Sequence, residues 1–207
     1  MVNVIMKNTY LLLLTVLFLL GSNLQAAEKG PTADLKPILQ DLTAVLADKS
    51  LKGDEHRTER REKIMSLIKH GFDFREMSKR VLGKTWQDIS DKERDNFTTL
   101  MTKLLENVYI GKLESYSGQT LEYAGEVIKE ERGQVSVLLD NAGVKIPIHY
   151  IMQKTDIRWM VYDINIEGVS LVRNYQEQFK AILRKDNYQG LVKVLEEKIS
   201  TFSTDLK

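Results

Sequence analysis

The stretch at residues 119–168 decides the fold. It reads QTLEYAGEVIKEERGQVSVLLDNAGVKIPIHYIMQKTDIRWMVYDINIEG. Apolar and polar side chains alternate along most of it, and a period of two is typical of strands. We predict four strands, at about 119–130, 134–141, 144–153 and 158–167. Because the links between them are short enough for hairpins, the strands should form an antiparallel meander with one face covered by helices.

The alternation also assigns side chains to the two faces of this sheet. Three acid–base groups, His149, Asp163 and Glu167, should lie on the outer face. The inner face should be apolar, and its residues in the last three strands are Val135, Val137, Leu139, Ile146, Ile148, Tyr150, Met152, Met160, Tyr162, Ile164 and Ile166.

Helical periodicity precedes the strands. Apolar residues between 35 and 46 recur at steps of three and four, which predicts a first helix with Asp34 as its N-cap. Two shorter helices should follow. The longest helix begins at Ser90, whose hydroxyl should form a capping box with the carboxylate of Glu93, and its apolar stripe continues to Tyr116. We expect this stripe to face the sheet.

Helical periodicity returns after the strands, at about 169–187 and again at 188–200. One glycine, Gly111, interrupts the longest helix; close packing against another helix is the usual reason, and room for a ligand is the rarer one. The pattern predicts one α+β domain, with helices packed on a curved four-stranded antiparallel sheet. Its interior is either solid or an apolar cavity, and periodicity alone does not separate the two.

The first 27 residues form a separate unit. A basic residue, Lys7, precedes a short apolar run, and small residues follow up to Ala26 and Ala27. This order is typical of a secretory signal peptide, and the apolar run is shorter than the roughly 20 residues that a membrane span needs. We therefore predict a cleavable signal peptide at 1–27, a single domain at 28–207 and a location in a bacterial periplasm.

Composition excludes several classes of function. Thirty Lys and Arg residues balance 29 Asp and Glu residues, so no net charge recruits nucleic acid. The absence of cysteine excludes disulfides, thiolate metal sites and Cys nucleophiles. The histidines His56, His70 and His149 are far apart and lack metal-ligand spacing. We predict no metal site and no cofactor.

One segment resembles a catalytic motif. Ser170 follows a predicted strand and precedes a helix, as the nucleophile of a Gly-x-Ser-x-Gly elbow does. However, Val172 stands where the second glycine is required, and no histidine follows in the chain. We interpret Ser170 as a helix cap, and the acid–base groups of the sheet as solvated or hydrogen-bonded residues. Trp86 and Trp159 are interpreted as packing anchors. We therefore predict no catalytic residue and no enzyme.

Four segments carry a resemblance to a known family. The residues WMVYDINIEGVSL at 159–171 are similar to the signature of MlaC-type proteins, the periplasmic phospholipid carriers also called the toluene-tolerance auxiliary family. The segment YIGKLESYSGQT at 109–120 resembles the same family, as do FREM at 74–77 and LGKTW at 82–86. The agreement runs in order from about residue 35 to residue 200.

The resemblance implies a fold related to the nuclear-transport-factor-like cone, with a deep apolar pocket. Members of the family carry a phospholipid between an outer-membrane lipoprotein complex and an inner-membrane ABC transporter complex with its membrane-anchored lipid-binding subunit. A sister branch accompanies hopanoid synthesis. The alternatives are therefore a hopanoid carrier, an enzyme that acts on an apolar substrate through His149, Asp163 or Glu167, and an interaction domain with a solid core.

The resemblance places the pocket between the sheet and the helices, and our face assignments supply the candidate side chains. The predicted lipid-binding residues are Leu105, Val108, Tyr109, Leu113, Val137, Leu139, Ile148, Tyr150, Met152, Met160, Tyr162, Ile164, Val172 and Tyr175.

Overall fold

A computed structural model describes residues 29–204, so the predicted signal peptide lies outside the described residues. The elements, in chain order, are α1 Pro31–Ala47, α2 Arg57–Gly71, α3 Phe74–Leu82, α4 Thr85–Asp88, α5 Asp91–Glu114, β1 Thr120–Lys129, β2 Arg132–Asn141, β3 Val144–Lys154, β4 Trp159–Ile166, β5 Val169–Ser170 and α6 Leu171–Thr204. Within this part of the chain, no helix combines the length and the apolar character of a membrane span. The α+β class is confirmed.

The strands form one antiparallel sheet in the order β1-β2-β3-β4-β5. The four predicted strands are present, and their ends lie within two residues of the predicted ones. The β2–β3 hairpin shows why the links are short: Asn141 pairs with Val144, and the two residues between them, Ala142 and Gly143, have φ of 54° and 87°. Two positive φ values make a turn whose twist matches that of the strands.

The sheet has a fifth strand that the sequence did not predict. Val169 pairs with Ile166 through a tight turn at Glu167 and Gly168, whose φ values are 50° and 86°. The chain therefore reverses direction before the last helix, which begins at Leu171 rather than at 169. The predicted break within this last helical region is confirmed, because Asn187 has non-helical backbone angles.

Strand β4 contains a bulge that changes the face assignments. Tyr150 pairs with Ile164, but its neighbour-but-one Met152 pairs with Val161, so β4 holds one extra residue between these pairs. Paired residues share a face of the sheet. Ile164 and Ile166 therefore lie on the inner face as predicted, whereas β4 residues before the bulge have the opposite parity.

The predicted inner-face positions of Met160 and Tyr162 are consequently wrong. Met160 pairs with Gln153, which lies on the outer face. The ring of Tyr162 lies under the guanidinium of Arg80, whose carbon is 3.9 Å from the ring centroid, and this guanidinium also donates a hydrogen bond to Gln153 Oε1 at 3.3 Å. The residues that take the inner-face positions are Trp159 and Val161, which are both buried.

Helix α1 covers part of the inner face. It begins at Pro31 and not near Leu35, and its N-cap Gly30 has no side chain to cap it. The predicted cap, Asp34, has another role: its Oδ2 accepts a hydrogen bond from the backbone N–H of Trp159 at 2.8 Å and ties the helix to β4. We call the apolar group beneath α1 the sheet cluster, and its buried members are Leu35, Leu39, Val135, Val137, Ile148, Tyr150, Met152, Trp159 and Val161.

Helix α5 packs on other helices rather than on the sheet, which corrects the expectation for the apolar stripe. The capping box of Ser90 and Glu93 is confirmed. We call the core of the helical layer the helical cluster, and its buried members are Met77, Val81, Leu82, Trp86, Ile89, Phe97, Leu100, Met101, Leu104, Leu105, Tyr175, Phe179, Tyr188, Leu191 and Leu195. Trp86 and Trp159, one in each cluster, are packing anchors as predicted.

A third, smaller group connects the two layers. Its buried members are Leu46 of α1, Ile64 of α2 and Ile110 of α5. Half-buried side chains that include Leu113 and Tyr116 pack against it. We call it the bridging cluster.

Candidate functional site

The structure distributes the predicted lipid-binding residues over the three clusters. The sheet cluster or its half-buried margin contains Val137, Leu139, Ile148, Tyr150, Met152 and Ile164. The helical cluster or its margin contains Leu105, Val108, Tyr109, Val172 and Tyr175. Leu113 packs on the bridging cluster. Met160 and Tyr162 lie on the outer face of the sheet and are not part of this group.

Burial changes along the inner face of the sheet. At one end, which we call the closed end, Val135, Met152 and Val161 are 0%, 1% and 0% exposed. Here β2 approaches α1 closely, since a Cβ on Gly133 would lie 2.9 Å from Pro31 Cγ. Because α1 begins at this point, it excludes water from the residues that it covers.

The opposite end of the inner face is incompletely covered. Leu121 pairs with Leu139, and Leu139 pairs with Ile146, so these three side chains form one row across β1, β2 and β3. All three are half-buried, and so is Ile166, which pairs with Ile148 in the next row. We call this region the open end of the sheet.

Chain connections bring two helix ends to the open end. Helix α5 ends at Glu114, shortly before β1 begins, and Gln119 Nε2 donates a hydrogen bond to Asn141 Oδ1 at 3.2 Å across the sheet end. Helix α6 begins directly after β5, beside the last residues of β4. The half-buried apolar side chains of Leu113, Tyr116 and Val172 therefore lie near the open end of the sheet. Leu113 and Tyr116 pack on the bridging cluster and Val172 on the helical cluster. We use the term apolar seat for the open-end row together with these three side chains.

The start of α6 is fixed by a pair of polar residues. Asp163 Oδ1 accepts a hydrogen bond from the backbone N–H of Val172 at 3.0 Å, and its Oδ2 accepts one from Ser170 Oγ at 2.6 Å. Ser170 Oγ in turn accepts a hydrogen bond from the backbone N–H of Arg173 at 3.0 Å. The interpretation of Ser170 as a cap is confirmed. Asp163 and Ser170 satisfy amides that every helix start leaves without intrahelical acceptors.

The other two acid–base groups of the sheet lie on its outer surface. His149 Nδ1 is 3.0 Å from Ser136 Oγ and 3.4 Å from Gln134 Nε2, in a polar row across β2 and β3. Glu167 is exposed in the β4–β5 turn. Within residues 29–204, no group of three or more His, Asp and Glu side chains is arranged to hold a metal ion.

Five tyrosines bring phenol groups into the two layers. Tyr123 and Tyr150 share the inner face of the sheet, and burial raises the pKa of both phenols. On the helices, burial raises the pKa of Tyr109 and raises that of the neighbouring Tyr175 to about 12. Tyr116 donates to the carbonyl oxygen of Gln119 at 2.9 Å. The four phenols with a raised pKa, Tyr109, Tyr123, Tyr150 and Tyr175, are neutral near pH 7 and bring no charge into the interior.

A half-buried cluster of charged side chains joins α2 to the end of α5. Arg61 forms a two-pronged contact with the Glu114 carboxylate, with Nε and Nη2 each 3.1 Å from an oxygen, and Arg60 Nη2 lies 3.2 Å from Oε1. The three side chains are 17%, 12% and 15% exposed for Arg61, Glu114 and Arg60. Although burial raises the pKa of Glu114, the hydrogen bonds and charges of the two arginines hold it below the ordinary value.

Two surface hollows are lined mainly by charged and polar residues and by none of the predicted lipid-binding residues. The first, of about 610 Å³, lies against α2 and α5 and is lined by Thr58, Arg61, Glu62, Met65, Ser66, Lys69 and Glu106. The second, of about 270 Å³, is lined by Asp73, Arg75, Glu76, Lys79 and Trp86. Gly111 is exposed with nothing within 4 Å of a Cβ placed there, so close helix packing does not explain it.

Sequence reasoning missed several residues of the open end. Leu121 and Tyr123 alternate with exposed residues in β1, which is the period-two pattern of an inner-face strand. The bulge at Gly125 then breaks the period, since the register shifts between Tyr123 and Gly125. Glu114 was missed because a single acidic residue at a helix end carries no sequence signal of its own.

Comparison with known proteins gives one consistent family. Residues 36–197 match the sequence model of the family described as MlaC protein, which is most of the chain. The chain belongs to the MlaC family. The resemblance inferred from four sequence segments is therefore confirmed, and its limits at about 35 and 200 agree with the match.

Two similar proteins show how far the sequence of this chain has diverged from known ones. The intermembrane phospholipid transport system binding protein MlaC of Haemophilus influenzae is 24% identical over 127 residues, or 58% of this chain and 59% of the relative. The match thus spans less than two thirds of that relative. The solved structure of a phospholipid-binding protein from Ralstonia solanacearum, in complex with a phospholipid, has a TM-score of 0.75 at 24% identity. It covers 84% of this chain and 99% of that chain, which shows that the fold is shared.

Proposed function

We propose that the chain is a periplasmic carrier of a single phospholipid, which it holds by the acyl chains in the apolar seat at the open end of the sheet. The observation that carries this proposal is the row Leu121, Leu139 and Ile146, which is apolar, on the inner face and only half-buried. The inner-face residues of β2 and β3 are buried at the closed end, so the open end is the part of this apolar face that a ligand can complete.

The seat needs walls from both layers. In this proposal Leu139, Ile164 and Ile148 form the sheet side, and Val108, Tyr109, Leu113 and Val172 form the helical side. The deeper predicted residues Val137, Tyr150 and Met152 support the sheet side from below, and Leu105 and Tyr175 support the helical side. Met160 and Tyr162 are left out, because they lie on the outer face.

Energetics explain why a carrier needs no catalytic group. Burying acyl chains stabilises by about 0.8 kcal/mol per CH₂, so a lipid with roughly thirty such groups meets a barrier on the order of 20 kcal/mol in crossing water. A seat nearly as apolar as a bilayer removes most of that barrier and leaves lipid exchange close to thermoneutral. The roles found for Asp163 and Ser170, which cap α6, are consistent with this view.

Two similar proteins support a role in phospholipid binding and transport. The Haemophilus protein is named as the binding protein of an intermembrane phospholipid transport system, and the Ralstonia protein was solved with a phospholipid. By this likeness, we propose that the chain exchanges lipid with an outer-membrane lipoprotein complex and with an inner-membrane ABC transporter complex that includes a membrane-anchored lipid-binding subunit.

Native mass spectrometry tests the proposal. The mature protein is purified from cells without detergent, and its bound lipid is extracted and identified. We expect phospholipid at about one molecule per chain. Hopanoid in its place would retain the carrier and change the cargo. A bare polypeptide mass that persists after incubation with phospholipid liposomes would contradict the proposal and indicate a solid core.

A further inference from the structure

Tyr123 holds an interior hydroxyl that has no hydrogen-bond partner in the part of the chain that the structure describes. Tyr123 pairs with Val137 of β2, and the same row continues through Ile148 to Ile166. This is the second row from the open end, next to the row of Leu121. The ring packs against the sheet cluster. The hydroxyl oxygen is buried and makes no hydrogen bond among the described residues, and burial raises the pKa of the phenol, which stays neutral.

Tyr188 differs from Tyr123, because its interior phenol has a hydrogen-bond partner. The hydroxyl of Tyr188 donates to the carbonyl oxygen of Glu93 at 2.8 Å. A buried hydroxyl without a partner is costly, and such groups are rare in native proteins unless something else satisfies them. Its paired neighbour Val137 and the next residue in the row, Ile148, are apolar. The nearby polar groups are the phenol of Tyr150 and the ammonium of Lys36, whose Nζ lies 5.4 Å from the Tyr123 ring centroid, and neither makes a hydrogen bond to the Tyr123 hydroxyl.

We propose that the Tyr123 hydroxyl donates a hydrogen bond to an ester carbonyl of the bound lipid. This inference rests on the proposed function and deepens it. It states how far into the seat the lipid reaches and which chemical class of lipid is bound. The glycerol esters lie at the row of Tyr123, and the headgroup lies toward the row of Leu121. An ester carbonyl only accepts hydrogen bonds, which complements a phenol that has one proton to donate. The seat therefore prefers acyl-ester lipids to ether-linked lipids of the same shape.

The variant Tyr123→Phe tests this with two lipids. One is a diacyl phosphatidylglycerol, and the other is its diether analogue with the same headgroup and chain length. We expect wild-type protein to bind the diester about fivefold more tightly, which is the usual strength of one net hydrogen bond. The variant should lose this preference by weakening diester binding alone. Competition between the two lipids, read by native mass spectrometry, measures the ratio.

The same variant has an opposite effect on the empty protein. Removal of an unpartnered hydroxyl relieves its desolvation, so Tyr123→Phe should raise the melting temperature of the delipidated protein. The control Tyr188→Phe removes a hydroxyl that has a partner. It should lower the melting temperature and leave the preference for the diester as in wild type.

Three results would overturn the inference. Equal affinity of wild-type protein for the two lipids would exclude an ester contact. An equal change for both lipids in Tyr123→Phe would show a structural role, and a lower melting temperature of the empty variant would show that the hydroxyl has a protein partner. If wild-type protein binds neither lipid, the proposed carrier function falls and takes this inference with it; the first three results leave the carrier function intact.

Discussion

The two ends of the sheet's inner face differ although the same strands form them. At the closed end, Met152 and Val135 are covered by α1 and exclude water. At the open end, Leu139 and Ile146 continue the same alternation but remain half-buried. The pattern of the strands therefore defines an apolar face, whereas a helix that starts beside Gly133 decides which half of it becomes core. The other half remains incompletely covered, and it is the half to which we assign the lipid.

The largest expected effect separates the two ends by stability. Met152→Ala removes a side chain that is 1% exposed and leaves a cavity, so we expect a loss of about 3 kcal/mol. Leu139→Ala at the half-buried end should cost only about 1 kcal/mol, because part of its surface is already in contact with water. Urea unfolding of the delipidated proteins measures both losses. Equal losses would contradict the distinction between the ends.

The next prediction tests which face holds the lipid. Leu139→Trp fills the proposed seat and should reduce the lipid bound per chain about tenfold, since overpacking costs about 1–3 kcal/mol. The matched control is Met160→Trp, which puts the same ring on the outer face and should leave lipid content unchanged. Lipid per chain is measured by extraction after purification without detergent. Loss of bound lipid in Met160→Trp but not in Leu139→Trp would contradict this prediction, because it would place the lipid on the face that carries Met160.

A pH titration examines the charge cluster between α2 and α5. The lowered pKa of Glu114 contributes stability above the pKa of the unfolded chain, and this contribution is lost as pH falls through the lower pKa of the folded protein. Glu114→Gln should cost about 1–2 kcal/mol at pH 7, because hydrogen bonds to charged groups are lost. The gap between wild type and variant should narrow below about pH 4, where the unfolded carboxyl takes up a proton. A gap that stays constant from pH 7 to pH 3 would contradict this role.

The smallest effect concerns the start of α6 beside the open end. Asp163→Asn keeps the shape but removes the charge that faces the helix start, so we expect a loss of about 1 kcal/mol. The control Glu167→Gln lies in the exposed turn and should change stability by less than about 0.5 kcal/mol. Chemical unfolding measures both. An effect of Glu167→Gln as large as that of Asp163→Asn would show that the capping contacts do not matter.

These two ends also show how far the sequence could predict the molecule. Alternation in β2 and β3 is strict, and the faces of Val137 and Tyr150 are confirmed. In β4 the residues Val161 and Tyr162 are adjacent and apolar, so one extra residue leaves no gap in the pattern and the bulge was invisible. Periodicity predicts which residues share an apolar face only while the pairing register is unbroken, and it does not reveal a bulge.

The packing partners of the helices were less predictable, because they too depend on the assembled fold. The stripe of α5 marks an apolar side, yet its buried residues, such as Leu104, contact helices and not the sheet. Asp34 showed a typical cap pattern but bonds to the backbone of Trp159, more than a hundred residues away. Long-range pairings of this kind depend on the assembled fold. The family resemblance implies a lipid pocket, and the strand register shows which residues share the inner face of the sheet.

The central claim is that lipid occupies the open end between the sheet and the ends of α5 and α6. The most direct measurement is photocrosslinking with a phospholipid that has a diazirine in its acyl chain, followed by peptide mapping of the adducts. We predict adducts at Leu121, Leu139 and Ile146 on the sheet and at Leu113 and Val172 on the helices. Adducts confined to outer-face residues such as Met160, or to the polar hollow beside Arg61, would contradict the account.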